Sequence, residues 1–298
     1  MLKTQVGDQW WLVQQPDHAR VSGYLAAHWG NTHGFAQPGH FADAVDPHWL
    51  RQEVVHAIAE HDNGWWEWEA TPEFDSSDTL PLNLPDTARN QKDAGLERWR
   101  IGVPRFADEH PLIALLISLH AYWLYAFAFD DIADQDDALR HPLFGQIGNV
   151  DQLVADRSLT RSFLDVQHAI QIGLRQKLEQ TAEGADAIRD AHLLPHLRLL
   201  QTMDALSLLL CGGGQQTTEL PDVPRQNWQD RVTIHWRAQD ERQIICDPYP
   251  FDTDPLDVFV PVRTVSDPIT PGIQPITRLH TTPLKAIRFV LSSHALAL

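Results

Sequence analysis

The chain has 298 residues, 40 acidic and 23 basic, for a formal net charge of −17; 43% of residues are hydrophobic and 21% charged. This is the composition of a globular protein with a core, and the acidic balance argues against nucleic acid or an anionic membrane surface as the main partner, since both require a basic footprint. Cys211 and Cys246 are the two cysteines, so a disulfide framework and a thiolate zinc site are both excluded.

The opening MLKTQVGDQWW lacks the apolar run of a signal peptide, and the expected location is cytoplasmic. Residues 3 to 14 alternate loosely and predict one short strand through Trp10, Trp11, Leu12 and Val13. Pro16-Asp17 predicts a helix start with Asp17 as N-cap and Val21, Leu25 and Ala26 on the apolar face. Residues 30 to 46 predict a loop. Pro47 then opens a second helix carrying Val54, Val55 and Ile58, which runs to His61-Asp62 and stops in a left-handed turn at Asn63-Gly64.

Glu69 to Pro85 is rich in turn residues and predicts loop; residues 86 to 101 predict a polar helix, broken around Gly102 and Pro104. Residues 109 to 129 form an apolar helix whose length approaches the roughly 20 residues that cross a bilayer. Ser118, a central His120 and an exit into Asp130-Asp131 mark it as a buried core helix instead. Residues 130 to 151 predict an acidic surface loop. Helices at 156 to 182 and 186 to 210 follow, the second carrying Leu193, Leu197, Leu200 and Met203 at helical spacing and ending at Gly212-Gly213-Gly214. Beyond Gln215 to Arg225, the expected boundary, short β-rich runs occur at 232–236, 243–246, 258–262 and 286–291. The expected organisation is a helical body over 1–214 and a β-rich subdomain over 215–298 packed on it, with the N-terminal strand free to join that sheet.

Chemistry concentrates on a few residues. Adjacent helical side chains diverge by about 100°, so His61 and Asp62 can reach one point only near a helix end; imidazole and carboxylate together suit a borderline divalent ion. His18 lies at the start of the first helix, where its side chain is expected to face a cleft. His120 lies mid-way along the most apolar helix, and Asp204 lies on a leucine-rich one. A desolvated carboxylate pairs, neutralises or binds metal; for Asp204 the alternatives are solvent or a pairing with Arg198 or Arg175, and for His120 a core histidine bonded to a backbone carbonyl.

The order His18, His61-Asp62, Asp204 resembles the HD superfamily of metal-dependent phosphohydrolases, an all-helical fold in which separated helices deliver a His, a His-Asp pair and a final Asp to a divalent metal. The stretches PDHARVSGYLAAHWG, AIAEHDNGWWEWEATPEFD, ALLISLHAYWL, HLRLLQTMDALSLLLC and DPYPFD look like those of a bacterial family, domain of unknown function 3891. That resemblance covers most of residues 1 to 262, leaving aside 130 to 150 and the last thirty residues, and implies that His18, His61, Asp62, His120 and Asp204 fall at matching positions. The fold class implied is mainly α, an HD-domain-like helical bundle with a small C-terminal β-sheet addition. His120 would be an extra ligand, which in HD relatives accompanies a second metal with the Asp of the His-Asp pair bridging. Such dinuclear sites carry six protein ligands and only five are proposed here. His196, about 80° from Asp204 on the helix wheel, is a marginal sixth; His56 reads as solvated or supporting, and His28, His33, His40 and His48 read as background.

Around the pair, Trp65, Trp66 and Trp68 either cover the end of the bundle or wall a substrate ring. Glu67 or Glu69 is a candidate proton shuttle. Arg175, Lys177 and Arg20 are the candidate phosphate contacts, against the plainer reading of solvated surface charges. No phosphate loop, G-x-S-x-G elbow or H-E-x-x-H helix is present, and Cys211 reads as a buried structural thiol. The expected function is a metal-dependent hydrolase of a small phosphorylated substrate, a nucleotide among the candidates. In it His61 and Asp62 would serve the reaction, and water on one or two ions of Fe, Mn, Zn or Mg would attack phosphorus. A di-iron oxygenase of the kind resembling inositol oxygenase and a non-enzymatic ligand-binding or scaffold protein are the alternatives. The expected partner is a small molecule, with neither nucleic acid nor membrane, and a homo-oligomer stays open.

Overall fold

The computed structural model describes residues 1–32, 34–85, 87, 92–132, 136–143, 157–266 and 273–295. Strands β1 (Leu2–Val6) and β2 (Gln9–Val13) lead into helices α1 (Gln15–Ala27) and α2 (Pro47–Ala59). A 3-10 turn, Asn63–Trp65, and the short α3 (Trp66–Ala70) precede α4 (Lys92–Gly102), α5 (Pro111–Ala126), α6 (Arg157–Leu178), α7 (Ala182–Ala187) and α8 (Asp190–Cys211). Then come β3 (Thr218–Asn227), β4 (Asp230–Ala238), β5 (Gln243–Asp247), β6 (Leu256–Val265), α9 (Pro275–Thr281) and β7 (Leu284–Ser292).

The seven strands make one sheet in the order β1-β2-β6-β7-β5-β4-β3. Only β5 and β7 pair in parallel. In β6 the alternation places Leu256, Val258, Val260 and Val262 inside and leaves Phe259 exposed, the period-2 signature of a half-buried strand. The sheet curls into a half-barrel and the chain is about 48% helical, which overturns the expected HD-like helical bundle with a minor sheet.

Two features enlarge the sheet beyond expectation. The expected single strand at 3–14 is a hairpin that turns at Gly7-Asp8, where Gly7 has φ 62°, the left-handed conformation such two-residue turns require. Its second strand pairs with β6 through Trp11 and Thr264. The expected boundary at 215–225 is mostly strand β3, which hides two prolines, Pro221 and Pro224, beside bulges in its pairing with β4. Prolines are tolerated there because β3 is the sheet edge.

Helices α1 and α8 lie between the sheet and the remaining helices, touching β6 and β3 on one side and α2 and α5 on the other. Every residue of α5 from Leu112 to Ala121 is buried, so it is a core helix, hydrophobic all round. No helix among the described residues is long and apolar enough to cross a membrane. Two helix-end expectations fail: Gln14, not Asp17, is the N-cap of α1, and α2 stops at Ala59 and passes through Glu60 into the 3-10 turn without a left-handed residue. Residues 86 and 88–91 of the expected polar helix, residue 156, His33 and parts of the expected 130–151 loop lie outside the described residues.

Candidate metal centre

Four elements converge at the middle of the helical layer. The tight turn after α2 brings the consecutive His61 and Asp62 inward together, α1 supplies His18, α5 supplies His120 and α8 supplies Asp204; all five are buried. The carboxylate of Asp204 is the hub. Its Oδ1 lies 3.6 Å from His61 Nε2 and 3.8 Å from His18 Nε2, and its Oδ2 lies 3.4 Å from His120 Nε2 and 3.1 Å from His141 Nε2. Asp62 Oδ2 lies 2.8 Å from His18 Nε2 and 3.8 Å from His61 Nε2. Two overlapping groups, His18/His61/Asp62 and His61/His120/Asp204, offer ligand atoms all within 4.8 Å of one another and could hold a metal ion.

The hydrogen bonds behind the cluster fix which ring nitrogen faces it. His61 Nδ1 lies 2.8 Å from the Ile58 carbonyl, which only accepts, so that nitrogen carries the proton. Ser207 lies 2.7 Å from His18 Nδ1 and is itself hydrogen-bonded to the Asp204 carbonyl at 2.9 Å and to Ser22 at 2.8 Å, so it holds the outer edge of that ring. Both histidines therefore turn Nε2 inward, the arrangement in which an outer partner orients a metal-binding imidazole. Buried His61 Nε2 and His120 Nδ1 have no hydrogen-bond partner among the described residues, and a buried nitrogen facing carboxylates at 3.6 and 3.8 Å suits a metal ligand.

Electrostatics point the same way. Burial raises the Asp204 carboxyl, but the imidazoles of His120, His141 and His61 outweigh it and hold the pKa well below the usual carboxylate range. Burial disfavours a charged His61, yet Asp62 and Asp204 outweigh that and lift its pKa to about 9. For His120, burial dominates and lowers the value. Among the described residues no Lys or Arg pairs with Asp62 or Asp204. Desolvating two carboxylates costs several kcal/mol each without a counter-charge, and a divalent ion would supply it in one step.

His141 escaped the sequence reading. It sits in an acidic loop with no periodicity, after the 3-10 turn Asp137–Leu139, and the missing sixth ligand was the sole sign of it. The α8 side chains hold that loop: Gln201 donates to the Leu139 carbonyl at 2.7 Å and Arg198 to the Arg140 carbonyl at 2.6 Å. The marginal candidate His196 is turned elsewhere, its Nε2 accepting the Gly39 N–H at 2.8 Å. Burial, then the nearby His192, lowers its pKa to about 3. His56 packs against His110 and Phe106. His18, expected at a cleft, is 1% exposed.

The other candidates scatter. Lys177 caps the turn before α5, bonding the Ala107 and Asp108 carbonyls, and from Pro111 to His120 is a further nine residues of helix, about 13 Å. Arg175 bonds the Ile188 carbonyl. Arg20 is exposed and stacks on Trp66 at 4.6 Å. Trp65 is buried and packs against Arg98 at 5.1 Å. Exposed Glu67 pairs with Arg105, which holds its pKa low, while buried Glu69 accepts the Gln15 N–H at 2.7 Å and burial raises its pKa. Cys211 is a buried free thiol, its pKa pushed up by burial.

Gly64 locks the turn in place. A Cβ there would fall inside the van der Waals shell of the Arg98 carbonyl, a backbone atom, so α4 would have to retreat from the residues that follow Asp62. Gly64→Ala should cost about 1–3 kcal/mol, read as a lowered melting temperature in thermal unfolding, together with weaker metal retention.

No curated protein and no solved structure matches the chain. A family model does match, over residues 1–267, and by that match the chain belongs to the family described as Protein of unknown function (DUF3891).

Proposed function

We propose that the cluster is a dinuclear metal centre and that the protein is a metal-dependent hydrolase of small phosphorylated molecules. The observation that carries this reading is Asp204, whose two oxygens face two different pairs of histidines. An imidazole nitrogen has one lone pair, so His61 serves one ion only. Then His18, His61 and Asp62 with Asp204 Oδ1 would hold one ion, and His120 and His141 with Asp204 Oδ2 the other. The donor order His18, His61-Asp62, Asp204 is HD-like, although the fold is not. Four imidazoles among the donors favour iron, manganese or zinc over magnesium.

When bound, such ions supply a clamp for phosphoryl oxygens and lower the pKa of a water toward neutrality. The chain's own part is to fix the nitrogens: Ile58 and Ser207 orient His61 and His18, and the surrounding α1, α2, α5 and α8 keep bulk water out. With three protein donors against four, the ion at His120 and His141 would have the more room for a substrate oxygen.

The test is metal analysis of protein purified without chelator, followed by assay on a panel of phosphate mono- and diesters including nucleotides. Two ions per chain and metal-dependent phosphate release are expected. Protein that holds no metal after reloading would sink the proposal. His141→Ala should lower the content from two ions to one, since it removes a donor from one half only. The nitrogen-rich donor set also suits a di-iron oxygenase; two irons with a charge-transfer band in aerobic protein, and no phosphate release, would favour it.

A further inference from the structure

Arg98, on α4, is in an unusual position for a cation. It is 6% exposed, and its guanidinium lies against two indoles, 4.0 Å from the Trp68 ring centroid and 5.1 Å from that of Trp65. Its Nε and Nη2 are buried and have no hydrogen-bond partner among the described residues. Burial lowers its pKa against the attraction of Glu97, Glu69 and Glu73, yet among the described residues no carboxylate pairs with those two nitrogens. The tryptophans meet the guanidinium through cation–π contact, and the Nε–Nη2 edge is left over.

That edge has a chemical meaning. Nε–H and Nη2–H point the same way and form one of the two forks by which arginine holds a carboxylate or phosphate through parallel hydrogen bonds. Leaving charged donors buried and unpaired is costly, so a permanent orphan edge is poor architecture for stability and good architecture for a ligand.

Its place in the fold ties it to the metal centre. Trp65 lies three residues after Asp62, in the 3-10 turn that leaves the cluster. The neighbour of Arg98 on α4, Trp99, packs its ring 5.7 Å from that of His120. One helix thus packs Trp99 against the candidate centre and carries Arg98 as the residue before it.

We propose that Arg98, packed against Trp65 and Trp68, is the binding subsite for an acidic group of the substrate, held by a two-point hydrogen bond beside the metal centre. The subsite makes the substrate an anion with a group for Arg98 at one end and the reacting bond at the cluster. The role as a substrate subsite rests on the reading of the His/Asp cluster as the reacting centre; the binding of the anion to Arg98 does not.

The test therefore uses metal-stripped full-length protein, dialysed free of chelator. Inorganic phosphate and acetate are titrated separately by calorimetry into wild type, Arg98→Lys and Arg98→Met. Wild type should bind at least one anion saturably, and both variants should bind it about tenfold or more weakly, because lysine keeps the charge but not the fork. Binding of phosphate alone assigns a phosphoryl end to the substrate, of acetate alone a carboxylate end, and of both an acidic group in general. Absence of saturable binding to wild type, or equal binding by well-folded variants, would overturn the proposal. Should the variants unfold, the wild type decides by nuclear magnetic resonance: an arginine Nε–H signal that moves on titration supports the subsite, and none moving overturns it. Metal content of the same preparations reports on the centre separately, so Arg98 variants that keep metal and lose the anion, or wild type that binds the anion and no metal, tell the two readings apart.

Discussion

Replacing Asp204 with asparagine should leave the protein folded and empty of metal. The substitution keeps volume and shape, so packing along α8 survives, but it removes the one group that faces all four histidines. A carboxamide offers one weak neutral oxygen where the carboxylate offers two charged ones, and its NH2 would turn toward two of the imidazoles. Loss of an outer-shell partner costs about 10–100-fold in metal affinity; loss of a shared charged ligand should exceed that for both ions. Asp62 keeps His18 and His61 beside it, so the remaining carboxylate is still paired in the metal-free variant. Asp62→Asn makes the contrast. Asp62 lies near His18 and His61 only, so that variant should keep the ion at His120 and His141. Elemental analysis beside circular dichroism reads both outcomes, and Asp204→Asn protein with the metal content of wild type would refute the two-ion arrangement.

The buried chemistry was easier to read from the residues than the architecture. His120 and Asp204 stood out because each is a polar residue inside an apolar periodic run, and such a residue needs a partner. His61-Asp62 stood out because it closes an amphipathic helix. His141 carried no such contrast: it lies in a stretch of turns and acids, and what buries it is a pair of hydrogen bonds from α8 that no local pattern announces. Arg98 was hidden for a related reason, since arginine on a polar helix reads as solvent-facing until tryptophans from 33 and 30 residues upstream close over it. The sheet was underestimated through β3, where Pro221 and Pro224 speak against a strand and only the edge position and its bulges permit one. The hairpin was underestimated because a two-residue Gly7-Asp8 turn is too short to interrupt an alternating pattern visibly.

Arg198 should prove the most expensive surfaceless residue to remove. It is 1% exposed on α8 and burial lowers its pKa to about 10, so the protein bears a charged group at a cost. What it provides is four acceptors' worth of donors: the Arg140 carbonyl at 2.6 Å, the Asp222 carbonyl at 3.3 Å, Gln201 Oε1 at 3.2 Å and the Pro221 carbonyl. The carbonyls of Pro221 and Asp222 fall at the interruption between Leu220 and Val223 in the β3–β4 ladder, where Asp222 has φ 56°, so the ladder does not serve them. The Arg140 carbonyl belongs to the residue before His141. Arg198→Met fills the volume and strands all of these acceptors, for a loss on the order of 4 kcal/mol, near the top of what single substitutions cost. In a chain of this size that corresponds to a melting temperature lower by on the order of 10 °C. Because the same side chain anchors the loop that carries His141, the variant should also lose the second ion while keeping the one at His18, His61 and Asp62. A merely structural arginine would lower the melting temperature and leave metal stoichiometry intact, so calorimetric unfolding and metal content measured on one preparation separate the two roles. Arg198→Lys should rescue neither, since one ammonium has three protons to share among four oxygens that face it from one loop, the irregular stretch of β3 and its own helix.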